Sequence, residues 1–261
     1  MADPWLRHER IGACDLYLGD CLEILPRVGS LGAIVGDPPY SSGGFTQSAI
    51  TKAKGQGLRS ETIRREGWFA GDAMTAAGGA FLLRELARVA FDGSDASSTM
   101  TLFTDWRMVA LYAPAIESAR WRFQNLLVWD KGNAGLGSGF RAQHEMALHF
   151  SKGSPPYHSA RYGNVLKASR VHSSDKEHGC EKPIDLMEQI IETVSGVGGR
   201  VTDPFMGSGS TLVAAVRLGR SAIGVEVDPG HFETACRRIE DAYKQADLFV
   251  ASPAPVQEAL L

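Results

Sequence analysis

Residues 199–228 read GRVTDPFMGSGSTLVAAVRLGRSAIGVEVD, and this stretch decides the fold. A short apolar run ends on Asp203, and two glycines, Gly207 and Gly209, follow close behind it. STLVAAVRLG then carries apolar residues at helical spacing, and SAIGVEVD is a second β-like run closing on Glu226. Strand, glycine turn, helix and strand make a parallel unit, because a parallel neighbour is reached only through a crossover. Glycine at the turn admits positive φ and lets a ligand come close to the backbone. No Gly-Lys-Ser/Thr follows, so the turn is not a phosphate loop, and the third glycine of the dinucleotide fingerprint is missing. An acid about twenty residues beyond the glycines stands where nucleotide-binding α/β folds hold a ribose diol. Taken singly, these are a tight turn and a strand-end carboxylate. Together they point to an adenosine-bearing cofactor.

The same alternation continues outward from this unit. CDLYLGD (14–20), LGAIVGD (31–37), STMTLFTDW (98–106), FQNLLVWDK (123–131) and EMALHFSK (145–152) read as further strands. Residues 77–91 form a helical pattern with Leu82, Leu83, Leu86 and Val89 on one stripe, and 183–195 and the segment after Asp228 form others. No helix-length segment separates 123–131 from 145–152, so that pair is expected to be antiparallel. The expectation is one α/β domain over 1–261, with a doubly wound, mostly parallel sheet of seven strands, one of them antiparallel. Such sheets bind ligands beyond the carboxyl ends of their strands. Two polar stretches, 41–76 and 153–181, are longer than ordinary connections and are read as functional loops.

A second landmark is IVGDPPYSSGG, residues 34–44. Pro38 and Pro39 remove two backbone donors and fix two φ angles, which a simple turn does not require. They leave the Asp37 carboxylate and the Tyr40 ring rigidly placed at a strand end. Bulk properties narrow the field further. The 261 residues are 44% hydrophobic and 22% charged with a net charge of −3, so no global basic field advertises nucleic acid. The opening MADPWLRHERIGACDLYLGD lacks the basic and apolar regions of a signal peptide, and no apolar run approaches membrane-spanning length. Four scattered cysteines, Cys14, Cys21, Cys180 and Cys236, argue for reduced thiols in a cytoplasmic protein and against structural zinc. Cys180 near His172 and His178 lacks ligand spacing, so no metal is expected.

DPPY and DPFMGSGST together resemble the amino-methyltransferases that modify exocyclic nitrogens of DNA with S-adenosylmethionine. The catalytic motif precedes the cofactor motif, as in the circularly permuted β group of that family. YLGDCLEIL (17–25), VWDKGNAGLGSGFRAQHE (128–145), HGCEKPIDLMEQII (178–191) and GVEVDPGHFETACRRI (224–239) are similar to further family elements in consistent order. The likeness runs from about residue 15 to about 242; one departure is Gly179, where many members carry proline.

The resemblance implies a Rossmann-like methyltransferase fold and duplex DNA as partner, with the target base turned out of the stack. It implies that Asp37 and the Pro38 carbonyl accept the amine's hydrogens, that Pro39 keeps that carbonyl aimed, and that Tyr40 stacks on the base. For the cofactor it implies Asp203 at the methionine ammonium, Phe205 beside the adenosine and Glu226 on the ribose. Asp20, with Cys21 beside it, would take the adenine amine, and Lys182 the methionine carboxylate. Gly207 and Gly209 would make room, with Ser210 and Thr211 opening the helix behind them. An exposed helix-start lysine is the plain alternative for Lys182. Phosphate contacts are expected from Lys52, Lys54, Arg59, Arg64 and Arg65 in the first loop, and from Arg161, Lys167 and Arg170 in the second. The second loop, the place for target recognition, is short, which implies a brief target, low specificity or a homodimer. Lys131, His144 and Glu145 lie at strand ends near the same mouth. Aspartate at the first motif position favours adenine N6, with cytosine N4 as the alternative. RNA or protein acceptors and a non-catalytic cofactor-binding module are the remoter readings.

Overall fold

Alternating side chains sort onto two faces of one sheet. The computed structural model describes residues 3–41, 74–135, 139–169 and 181–249. Its first half runs β1 (Arg7–Ile11), β2 (Cys14–Leu18), α1 (Cys21–Ile24), β3 (Ala33–Gly36), α2 (Ala76–Gly93), β4 (Ser98–Thr104) and α3 (Val109–Glu117). Its second half runs β5 (Arg122–Asp130), β6 (His144–Lys152), β7 (Val165–Lys167), α4 (Ile184–Val194), β8 (Arg200–Asp203), α5 (Ser210–Arg217), β9 (Ser221–Glu226) and α6 (Pro229–Phe249). Cys14, Leu16, Leu18, Ala33, Val35 and Phe103 join one buried cluster with residues of α4, α5 and α6. Tyr17, Ile34, Met100 and Leu102 join a second with α1, α2 and α3. The central strands are therefore covered on both faces, which is why they read as near-continuous apolar runs.

The strand order is β1-β2-β9-β8-β3-β4-β6-β5-β7. β2, β9, β8, β3 and β4 are parallel, and β6 runs antiparallel to both β4 and β5, as the short connection between β5 and β6 requires. Seven strands with one reversed are corrected to nine with two reversed among the described residues. β1 pairs antiparallel to β2, and β7 adds to β5 in parallel. RHERI hides as a strand because it covers an edge, where charged residues keep the free side wet. VLK is too short for alternation to show. The helix after β2 is short: Pro26 has no N–H to give, and the chain passes from α1 into one 3-10 turn at Leu25–Arg27.

From β8 the chain crosses through α5 to β9, and from β3 through α2 to β4 on the other side. The winding reverses between β8 and β3. A crevice opens at such a switch point, outside the carboxyl ends of the strands.

Candidate active site

The carboxyl edge of the sheet is lined with acids. Asp20 follows β2, Glu226 ends β9, Asp203 ends β8, Asp37 follows β3, and Asp130 ends β5. Because β6 is reversed, its first residues lie on the same edge: Met146 pairs with Thr104 at the end of β4, and Glu145 stands beside Trp129.

At the glycine turn, Glu226 accepts three backbone N–H groups, from Gly207 at 2.8 Å, Val227 at 2.9 Å and Asp228 at 2.8 Å. Asp203 accepts from the Phe205 N–H at 2.9 Å and from the Thr211 hydroxyl. Burial pushes the Asp203 carboxyl up to about 7, against the pull of those two donors. The glycines differ in purpose. Gly207 has φ +51° and open space where a side chain would project, so a ligand can lie against it. Gly209 has φ +85°, and a methyl there would meet Ala235 of α6 at 3.1 Å, so its smallness serves helix packing. Behind the turn, Arg238 donates to the Ser208 carbonyl at 2.9 Å and hydroxyl at 2.7 Å and pairs with buried Glu181. Ser210 approaches both, at 3.5 Å. This tie fixes the turn to α6 and to the segment that carries Lys182.

One strand away lies the DPPY turn. Gly36 lets β3 close on its neighbour, since a methyl there would stand 3.1 Å from Asp203 Oδ1 and 3.2 Å from Pro204. The Tyr40 hydroxyl donates to Asp37 Oδ1 at 2.7 Å and lies 3.4 Å from Glu145 Oε2. Lys182, 8% exposed, pairs with Asp37 Oδ2 and stands 3.3 Å from Glu145 Oε2. Its ammonium also lies 5.4 Å from the Tyr40 ring and 5.1 Å from the Phe103 ring. Lys131 holds the other oxygen of Glu145. Burial raises the Asp37 carboxyl above its ordinary value; Lys182 opposes this and Glu145 adds to it. Burial also works to raise Glu145, but Lys182 and Lys131 outweigh it and hold that carboxyl below its ordinary value.

Several sequence expectations are relocated. Lys182 is neither an exposed helix-start lysine nor free to serve a cofactor carboxylate alone, because its ammonium pairs with Asp37 and Glu145. Cys21 is a core residue: it packs with Ile24, Ile34 and Val225, and burial pushes its thiol up to about 12. Asp20 uses Oδ1 to cap α1 through the Leu22 N–H at 2.8 Å. Lys167 is level with Asp130 at the carboxyl end of β7, on the mouth side of the sheet. Arg161 lies elsewhere, beside Tyr162, whose hydroxyl bonds Glu192 at 2.6 Å near the far end of α4. Lys52, Lys54, Arg59, Arg64, Arg65 and Arg170, like Cys180, His172 and His178, fall outside the described residues. Among the described residues no acidic, histidine or cysteine cluster is arranged to hold a metal ion, and no helix is long and apolar enough to cross a membrane. Glu145 was visible only as a strand-end acid; its signal in the sequence was its place at the start of the reversed strand.

A doubly wound sheet with an acid-flanked glycine turn across the switch point from a second rigid turn defines the methyltransferase class of α/β fold. The chain belongs to the N6/N4 DNA methylase family, whose model matches residues 32–237. YubD of Escherichia coli (strain K12), described as a methylase, is 32% identical over 128 residues, which are 49% of this chain and 56% of the relative. The match thus spans little more than half of that relative's length. In three dimensions the chain superposes on the S-adenosylmethionine complex of M1.HpyAVI with a TM-score of 0.65 at 22% identity, covering 87% of this chain and 98% of the other. The cytosine-N4-specific PvuII DNA methyltransferase gives a TM-score of 0.65 at 16% identity, covering 89% and 92%. Both likenesses concern the fold.

Proposed function

We propose that this protein is an S-adenosylmethionine-dependent DNA methyltransferase that methylates adenine N6 on a base turned out of the duplex. The observation that carries the reading is the placement of the intact Asp37-Pro38-Pro39-Tyr40 turn directly beside Asp203, across the switch point from the glycine turn. An exocyclic amine is a poor nucleophile because its lone pair is delocalised into the ring. Two acceptors aimed at its hydrogens draw the nitrogen toward sp³ and free that pair, an effect of orientation and preorganised charge. The Asp37 carboxylate and the Pro38 carbonyl supply them. Tyr40, oriented through its hydroxyl, stacks on the extruded base. Asp37, raised by burial and by Glu145, accepts more strongly than an exposed aspartate.

The glycine turn fits the cofactor. Gly207 leaves open space, and three backbone donors orient Glu226. Glu226 would hold the ribose hydroxyls, Asp203 the methionine ammonium, Asp20 the adenine amine and Phe205 a face of the adenosine. S-adenosylmethionine supplies an activated methyl group on a sulfonium. Aspartate rather than serine at the first motif position favours adenine. Cytosine N4 is the second reading, since the family covers both amines and the same two acceptors suit either. Lys167 at the mouth, with the basic residues of 51–65, is assigned to phosphates.

The test is transfer of labelled methyl from S-adenosylmethionine to unmodified duplex DNA, followed by hydrolysis and identification of the base. Wild type labels N6-methyladenine, and Asp37→Ala lowers the rate by at least about a thousandfold while binding cofactor normally. Label in RNA or protein alone would overturn the assignment.

A further inference from the structure

We propose that Glu145 is a positioning residue for methyl transfer: clamped between Lys131 and Lys182, it takes a share of Lys182 and so keeps Asp37 a strong acceptor. The proposal rests on the reading of Asp37 given above. The geometry is a chain of alternating charge, with Lys131 on Glu145 Oε1, Glu145 Oε2 3.3 Å from Lys182, and Lys182 on Asp37 Oδ2. The Tyr40 hydroxyl gives its one hydrogen to Asp37 Oδ1 and lies 3.4 Å from Glu145 Oε2. Four elements converge here: Asp37 and Tyr40 after β3, Glu145 in β6, Lys131 after β5, and Lys182 ahead of α4. Among the described residues, Asp203 of β8 is a further charged neighbour of Asp37.

Among the described residues this chain of charges sets two carboxylates against two ammoniums, and their pull on Asp37 is uneven. A buried lysine facing Asp37 alone would press its whole charge on that carboxylate and weaken it as an acceptor. Glu145 counters that charge, while Lys131 limits how far it does so. Glu145 is itself held below its ordinary value by the two lysines, so of the two carboxylates Asp37 is the stronger acceptor. The two flanking residues therefore act on Asp37 with opposite sign.

The experiment compares wild type, Glu145→Gln and Lys131→Gln in methyl transfer to unmodified duplex DNA from about pH 5 to 9 at saturating cofactor. Loss of the Glu145 charge should move the acid limb of kcat down by about one pH unit and lower the plateau about tenfold. Loss of Lys131 should move the same limb up, and cofactor Kd by calorimetry should stay within about twofold in both. Limbs that do not move, or that move together, overturn the proposal. Should Glu145→Gln fail to fold, Lys131→Gln decides alone, and an unmoved or lowered limb sinks the idea. Carbon NMR of the Asp37 carboxyl, assigned by its loss in Asp37→Asn, reads the same shifts without turnover. If wild type methylates no DNA, the functional reading falls, while the NMR titration still decides the role of Glu145.

Discussion

Asp203 is 2% exposed, and burial pushes its carboxyl up to about 7. The folded protein therefore holds that proton more tightly than the unfolded chain, whose aspartate titrates near about 4. The stability this gives is complete below about pH 4 and is lost as pH rises through 7, on the order of 4 kcal/mol. His149 works in the other sense. It is buried between the Thr101 hydroxyl at 2.8 Å and the Tyr157 hydroxyl at 2.9 Å, and burial pushes it down to about 4. Its unfolded imidazole charges near about 6.5, so stability is lost as pH falls from there to 4, on the order of 3 kcal/mol. The two slopes oppose each other in the wild type and should separate in variants. Urea unfolding of Asp203→Asn should show stability rising with pH between about 4 and 6.5, and His149→Gln should show it falling. Identical slopes in both variants would mean that burial does not set these two titrations.

The glycine turn belongs to the scale of elements, because Gly209 is the N-cap of α5 and α5 packs against α6. Gly209→Ala combines a strained φ of +85° with a 3.1 Å approach to Ala235, and should lower stability by about 2 kcal/mol. Gly207→Ala has φ +51° but open space, so its stability loss should be nearer about 1 kcal/mol. Its larger effect should be on S-adenosylmethionine affinity, by about tenfold or more, because the methyl fills the ligand's side of the turn. Thermal unfolding and calorimetry on both variants check this crossing of effects. The sequence marks both glycines alike, and only the packing of α6 tells them apart. Element types were legible wherever composition and period agreed, as in GAFLLRELARVAF or RVTD. They were illegible in RHERI, whose charges suit an exposed edge, and in VLK, whose three residues hold no period.

Across the whole molecule, the proposed cofactor ligands come from β2, β8 and β9, while the acceptor turn follows β3 and is braced from β5, β6 and the lead into α4. Cofactor binding at the β8 end should therefore stabilise the sheet as one unit. At about a hundredfold excess over Kd the gain is about 2.7 kcal/mol, which for a chain of this size raises Tm by roughly 5 to 10 °C. Scanning calorimetry with and without S-adenosylmethionine measures it, and a split into two transitions would contradict a single cooperative unit. The sequence by itself determined the strand-turn-helix units, the acid after the glycines and the rigid mount of Asp37. Each of these is written in short stretches or a fixed spacing along the chain, in φ restrictions, missing donors and apolar period. Tertiary structure alone decided which charges meet. The sequence places Lys182, Glu145 and Lys131 near the mouth but does not pair them, and the reversed β6 in register with β4 and β5 is what sets Glu145 among them. The packing of α4 beneath the sheet then buries Lys182 against it, where low exposure turns a common ion pair into a constraint on Asp37.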